Sequence, residues 1–300
     1  MTDAATTTDA KLLCWQIGDV TVTRLPECLS TMLGTDFLPD ATVEGLARHP
    51  WLVPDFATPD GHVLMSVHAL AVEAPGMKVI VDTCYGDGKE LTFSAALEFQ
   101  GDFLANLGAI GFGRDQVDYV LCTHLHLDHV GWNTIRENGR WVPTFPKARY
   151  LFARTEYDHW SHNAQPDDPL NPQAVLRESV APVIDAGLAD FVETDHRLSP
   201  ELRLIPTTGH TPGHVSLVIE SQGERAVITG DMIHHPCQIP NPDWALPFDT
   251  DSSEAVATRQ RMLADWETSS TLVIGTHFNA PTAGHIATQN GERRFVCDRH

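Results

Sequence analysis

The sequence predicts an α/β protein with helices layered over sheet, and two observations carry the prediction. Short runs rich in β-branched residues and bounded by Gly, Pro or Asp recur along the chain, which is how strands read. Between them fall segments of helical length, one with apolar residues at three-to-four spacing, which is how amphipathic helices read. In chain order the strand candidates are 12–17 (LLCWQI), 20–25, 63–74, 77–83, 117–123 (VDYVLCT), 148–154, 202–206, 214–220, 225–230 and 271–276. Helices are expected over 92–108, 154–162, 172–186 and 252–267. In the last of these Ser252 or Ser253 can cap, and Val256, Arg259, Met262, Leu263 and Trp266 share a face. Residues 1–10 are expected to be disordered, and no change of composition divides 11–300, which reads as a single domain. The stretch 30–61 mixes Pro and Gly with Phe37, Leu38, Trp51, Leu52 and Phe56. It is too apolar for a linker and too broken for a regular element, so it is expected to cover a pocket or an interface, with 162–173 a second such loop.

Composition narrows the function. The chain has 300 residues, 42% of them hydrophobic, enough for a substantial core. Its 20 basic and 40 acidic residues leave a formal charge of −20, which repels polyanions and offers no basic stripe, so neither nucleic acid nor an anionic membrane is expected as partner. No stretch reaches about 18 uninterrupted apolar residues, and the start lacks a basic and apolar leader, so the expectation is a cytoplasmic protein. The six cysteines are scattered without a CxxC pair, which argues against a disulfide framework or thiolate zinc site.

The chemistry concentrates in CTHLHLDHVGW, residues 122–132, where His124, His126, Asp128 and His129 occupy alternating and adjacent positions directly behind an apolar run. On a strand-to-helix turn their side chains can converge. Two histidines at i and i+2 can share one metal while Asp128 and His129 point to a neighbouring position, and imidazole with carboxylate suits zinc, iron, cobalt or manganese better than calcium. Further candidates follow other strands: His210 and His214 in TTGHTPGH, Asp231 in AVITGDM and His277 in GTHF.

Together these motifs resemble the metallo-β-lactamase-fold hydrolases: HLHLDH is similar to HxHxDH, TTGHTPGH to the TPGHTxGH turn, TGD to the bridging-aspartate strand end and GTHF to the last histidine, while VDT at 81–83 resembles another recurrent turn. The resemblance implies an αββα sandwich, two mixed β-sheets packed face to face with helices outside. It also implies two divalent transition-metal ions, most simply zinc. His124, His126 and His210 would hold one ion, Asp128, His129 and His277 the other, and Asp231 would bridge them. Asp82 and His214 would act behind the ligands, with the alternative that His214 replaces His210. Two such ions roughly 3.5–4 Å apart can share a water, lower its pKa and leave a hydroxide as nucleophile while polarising the oxygen under attack. Asp128 can then receive the proton and pass it on.

Departures from named subfamilies narrow the substrate. A cysteine in place of Asp231 marks the best-known β-lactamases, HxExDx marks the redox members, nuclease members usually carry an extra domain or arm, and only 23 residues follow His277, little room for a glutathione-binding region. The pattern is similar to the N-acyl-homoserine lactonase and methyl-parathion-hydrolase-like group, which implies a small lactone or carboxyl ester as substrate and a homodimer as assembly. Lactonases of the first kind place a tyrosine three residues after the bridging aspartate; here His234 stands there, a candidate pocket donor, with Trp51 and Phe56 as candidate lining. A phosphotriester hydrolase is the alternative within the group, and a catalytically silent metal-binding scaffold is the alternative of another class.

Overall fold

The computed structural model describes residues 12–33, 35–90, 98–165, 168 and 170–297; the expected disorder of 1–10 lies outside them. Among the described residues sixteen strands run in chain order. They are β1 Cys14–Ile17, β2 Val20–Leu33, β3 Val63–Ala74, β4 Met77–Val81, β5 Glu98–Phe99, β6 Tyr119–Leu121, β7 Thr134–Glu137 and β8 Arg140–Pro143. The second half adds β9 Arg149–Ala153, β10 Ala189–Val192, β11 Leu202–Pro206, β12 Val215–Ser221, β13 Glu224–Ile228, β14 Leu272–Ile274, β15 Ala283–Gln289 and β16 Glu292–Val296. The α-helices are α1 Val43–Ala47, α2 Phe103–Ala109, α3 Leu127–Val130, α4 Arg154–Asn163, α5 Pro172–Val175, α6 Ala181–Asp185 and α7 Ser252–Ser269.

One large sheet has the order β1-β2-β3-β4-β6-β9-β10 with β5 paired to β2, the second runs β11-β12-β13-β14-β15-β16, and β7 and β8 form a two-stranded sheet of their own. Both large sheets are mixed. β4, β6, β9 and β10 are parallel in the first sheet, as are β13 and β14 in the second, and the remaining pairs are antiparallel. Strand alternation distributes the apolar residues among three layers. Val20, Val22, Leu70, Val72 and Val79 of the first sheet meet Leu204, Leu217, Ile219 and Ile228 of the second in the layer between them. The outer face of the first sheet, with Ala69, Ala71, Ile80 and Val120, packs on Phe103 and Leu107 of α2 and Trp160 of α4. The outer face of the second, with Val218, Val227 and Val273, packs on Met262, Leu263 and Trp266 of α7. This is the expected αββα sandwich.

Three expectations shift. Of the helix expected over 92–108, residues 91–97 lie outside the described residues; Glu98–Phe99 are strand, and α2 starts at Phe103, capped by Asp102, which accepts from the Ala105 N–H (3.0 Å). α7 is capped by Asp251, which accepts from Ser253 and Glu254 N–H (3.0 Å each), rather than by Ser252 or Ser253. The irregular 30–61 stretch holds the end of β2, α1 and a 3-10 turn at Pro50–Leu52. Its apolar residues Leu38, Leu46, Leu52 and Phe56 are buried in the layer under α7. Among the described residues no helix is long and apolar enough to cross a membrane.

Candidate metal centre

Parallel pairing sets the address of the site. In β4, β6, β13 and β14 the apolar run ends at the same edge of the sandwich, and the turns beyond their carboxyl ends carry Asp82, the 124–129 segment, Asp231 and His277; such edges are where open α/β sheets place ligands. The β11–β12 turn brings His210 to the same edge. The ligand-type atoms of His124, His126 and His210 lie within 4.8 Å of one another, as do those of His124, His129 and Asp231, of Asp128, His129 and His277, and of His210, Asp231 and His234. All seven expected positions thus converge, and His234 joins them.

Asp231 stands in the middle. Its Oδ2 is 3.2 Å from Nε2 of both His129 and His277, 3.7 Å from His210 Nε2 and 3.8 Å from His124 Nε2. On the other side Asp128 lies 3.6 Å from His129 Nε2 and 3.5 Å from His277 Nε2. The carboxylate of Asp231 therefore faces two nitrogen groups at once.

Four of the rings are turned by what their other nitrogen binds. His129 Nδ1 donates to Asp82 Oδ2 (2.9 Å), and the same oxygen accepts from Thr123 Oγ1 (2.9 Å). Thr123 Oγ1 lies 3.1 Å from His124 Nδ1, whose N–H it can therefore accept. His210 Nδ1 donates to Asp249 Oδ1 (2.8 Å), and His277 Nδ1 to the Ser66 carbonyl (3.2 Å). Such contacts leave Nε2 as the lone pair aimed inward. His214 does otherwise. Its Nε2 accepts the backbone N–H of Asp231 (2.7 Å) and its Nδ1 meets Thr207 Oγ1 (2.9 Å), so it fixes the aspartate's backbone and His210 keeps the inward place. The close approach requires Gly230, with φ of +55°, because a Cβ there would lie 2.5 Å from His214 Nε2.

The electrostatics are those of a cation site. Burial first, then neighbouring histidines, hold His124, His126 and His210 well below the usual imidazole range, so they stay neutral, the state that binds a metal. Burial pulls His129 and His277 down as well, but the carboxylates of Asp231 and Asp128 outweigh it and raise both. Burial would push Asp231 up, yet the adjoining histidines hold it well below the carboxylate range. His124 Nε2 is buried without a hydrogen-bond partner and Asp231 Oδ1 has only His277 Nε2 beside it (3.1 Å); burial leaves such an imidazole nitrogen costly unless a cation meets it. The donor set, imidazole nitrogen and carboxylate oxygen without sulfur, suits a divalent transition metal. Cys14, Cys28, Cys84, Cys122 and Cys237 are free thiols, and Cys122 packs against Asn133 rather than facing the cluster.

Around the cluster the expected lining is revised. Phe56 is 2% exposed and packs on Phe278, Phe295 and His235, and Trp51 packs against the same buried layer. From the same stretch it is Phe37 that reaches the site, its ring 5.8 Å from that of His234 and 5.3 Å from Phe248. His234 stacks on His277 at 5.7 Å; its Nε2 lies 3.0 Å from Asp231 Oδ2, while its Nδ1 is buried with no hydrogen-bond partner. Asp249, Thr123 and Ser66 were not among the sequence candidates. Asp249 carries no local signal, since it follows no strand and belongs to no motif.

With this geometry in place, comparison with known proteins is direct: the sequence profile of the metallo-beta-lactamase superfamily matches residues 63–277. The chain belongs to that superfamily. It is 28% identical over 122 residues to the N-acyl homoserine lactonase AiiA of Bacillus thuringiensis subsp. kurstaki, 41% of this chain and 40% of that protein. It is 27% identical over 123 residues to the N-acyl homoserine lactonase AttM of Rhizobium radiobacter, 40% of this chain and 42% of that one. The chain thus spans about two fifths of the length of the curated relatives it matches. Two solved structures cover it almost whole. Hydrolase AbOPH superposes with TM-score 0.80 at 25% identity over 98% of this chain and 99% of the other. AidC, described as a dizinc quorum-quenching lactonase in complex with a product, superposes with TM-score 0.78 at 22% identity over 96% and 98%.

Proposed function

We propose that this chain is a dinuclear metal-dependent hydrolase of a small lactone or carboxyl ester. The observation that carries the reading is the central carboxylate of Asp231, within 3.8 Å of histidine nitrogens from both halves of the cluster. His124, His126 and His210 would hold one ion and Asp128, His129 and His277 the other, with Asp231 between; zinc suits the donors. When bound, such a pair supplies Lewis acidity and a water acidified towards neutrality. The side chains do the rest. Asp128 is the one partly exposed member, at 18% for its side chain, so its carboxylate can take up the proton released on attack and return it to the leaving alcohol. His234, at the inner wall with its Nε2 3.0 Å from Asp231 Oδ2, is placed to direct an N–H at an acyl oxygen bound beside that carboxylate. Phe37 and Phe248, edge-on to His234, offer the apolar surface that a lactone's acyl chain needs.

The lactonase relatives support this substrate class. A panel of acyl-homoserine lactones, other lactones, aryl esters, phosphotriesters and β-lactams on metal-defined protein tests it. Lactone or ester turnover lost to a chelator and restored by metal is the expected result. Faster phosphotriester turnover would replace the substrate class, and an inert protein holding two metals would leave only the scaffold reading.

A further inference from the structure

Among the five histidines assigned to the ions, His126 lacks what the others have. His124, His129, His210 and His277 each have an oxygen on the nitrogen that faces away from the cluster, whereas His126 meets His210 Nε2 through Nδ1 (3.0 Å) and its outward Nε2 is buried with no hydrogen-bond partner. Its orientation must come from elsewhere. The His126 ring lies 5.4 Å from the indole of Trp160, and Trp160 Nε1 donates to Glu156 Oε1 (2.7 Å), one helical turn back on α4.

Glu156 is 1% exposed and faces no cation. Its Oε1 also accepts the N–H of Leu125 (3.1 Å), the residue between His124 and His126, and its Oε2 accepts the N–H of Gly213 (2.9 Å), on the turn that carries His210. These two turns leave different sheets. The contact is so close that a Cβ at Gly213 would lie 2.2 Å from the Glu156 backbone nitrogen. Burial raises the Glu156 carboxyl, and the Thr211 hydroxyl, the indole and the backbone donors oppose that rise; none of these hydrogen bonds reaches Asp128, His129 or His277.

We propose that Glu156, with Trp160, is a positioning pair for one half of the metal centre: the carboxylate clamps the 124–126 turn to the 210–213 turn, and the indole held by it orients the His126 ring. The inference rests on the dinuclear reading and adds a residue set that serves one ion selectively. Glu156→Gln isolates it. The amide keeps size and shape, but its NH₂ must face either the Leu125 or the Gly213 N–H, donor against donor, so one of the two turns is released. Zinc is titrated into the metal-free full-length protein against a chromophoric chelator, giving two stepwise affinities, and the d–d spectrum of the cobalt form reports each site's geometry.

In Glu156→Gln one affinity should fall by about 10- to 100-fold, the usual effect of losing a contact behind a ligand, with the other within about twofold. The cobalt bands of one site alone should change. Trp160→Phe, which keeps an aromatic ring and removes the N–H to Glu156, should give a smaller loss at the same site. Two unchanged affinities in both variants, or equal losses at both sites accompanying a lowered metal-free melting temperature, would overturn the selective role while leaving the dinuclear reading intact. Wild-type protein that takes up fewer than two ions would overturn both.

Discussion

Replacing Asp231 by Asn separates a bridging carboxylate from a turn residue, and its magnitude follows from the distances. A unit positive charge 3.2 Å from the carboxylate, the separation found to both His129 and His277, interacts by about 5 kcal/mol at an effective dielectric of about 20. Removing a carboxylate from water costs several kcal/mol in return. In the metal-free protein the two nearly cancel once the neutral amide lets His129 and His277 lose their protons, so melting in a chelator should change little or rise. With two dications beside it the balance tips. The carboxylate then offsets repulsion between ions, and a neutral amide recovers only a fraction of that. The weaker ion's dissociation constant should rise at least about 100-fold, or about 2.7 kcal/mol, and kcat should drop at least about 10²-fold, the loss typical of a deleted electrostatic element. Metal content after dialysis, chelator competition and kcat on the best ester or lactone measure all three. If Asp231 were merely a turn cap, Asn would instead cost the metal-free fold about 1 kcal/mol and leave turnover intact. A variant with two ions and near-wild-type kcat would refute the bridging role and the dinuclear chemistry with it.

Three further outcomes are expected. Phe56→Ala should destabilise the fold by about 3–5 kcal/mol, as for a buried Phe, with KM unchanged in the folded fraction, whereas Phe37→Ala should raise KM for an apolar ester at little cost in urea-melt stability; the reverse pattern would restore the first reading of this stretch. The cobalt-substituted protein should show no thiolate charge-transfer band, because every clustered donor is His or Asp and Cys122 packs on Asn133; a sulfur band would overturn the ligand set. Glu27 is buried against Tyr85 N–H, Gly86 N–H and Trp132 Nε1, and burial, against those donors, pushes its carboxyl up to about 7. A raised carboxyl adds stability that is complete below its ordinary value near 4.5 and lost as pH rises through about 7. From about pH 5 to about pH 8 the urea-melt stability of metal-free Glu27→Gln should therefore gain up to about 3 kcal/mol on wild type, and a pH-independent gap would count against it.

The metal turns were legible because each places its ligand directly after an apolar β-branched run, so strand periodicity and ligand chemistry coincide at Thr123–His124, Ile228–Asp231 and Ile274–His277. The residues behind the ligands were mostly not. Asp249 and Glu156 act across 39 and 31 residues of chain, on His210 and Leu125 respectively, and no local pattern distinguishes them from surface acids. Phe56 and Phe37 lie in the same apolar stretch, and only the path of the chain decides which is buried in the core and which meets His234. The missed hairpins are another matter. β7–β8 and β15–β16 turn at Asn138–Gly139 and Asn290–Gly291, all with positive φ, and Asn-Gly between alternating residues is a strong hairpin signal. The polar content of TIRE and ATQ hid strands that their turns announce.

Charge balance explains why two of the residues behind the ligands are acids. Asp231 and Asp128 reach the cluster directly, while Asp82 and Asp249 sit behind His129 and His210, one on each half. Ionised, these four carboxylates carry four negative charges, which the two dications proposed above would neutralise. A neutral buried cluster avoids most of the desolvation cost that an unbalanced one incurs. Without ions the same carboxylates must be offset by protons, and the raised His129 and His277 are where those protons go. Protons and metal thus compete for the Nε2 atoms of the Asp128 half, while the neutral His124, His126 and His210 wait unprotonated. The two halves therefore fill with different proton cost. Ion uptake at low pH should begin at the His124–His126–His210 half, the half that Glu156 holds together, and the His129–His277 half should follow only as those two rings give up their protons.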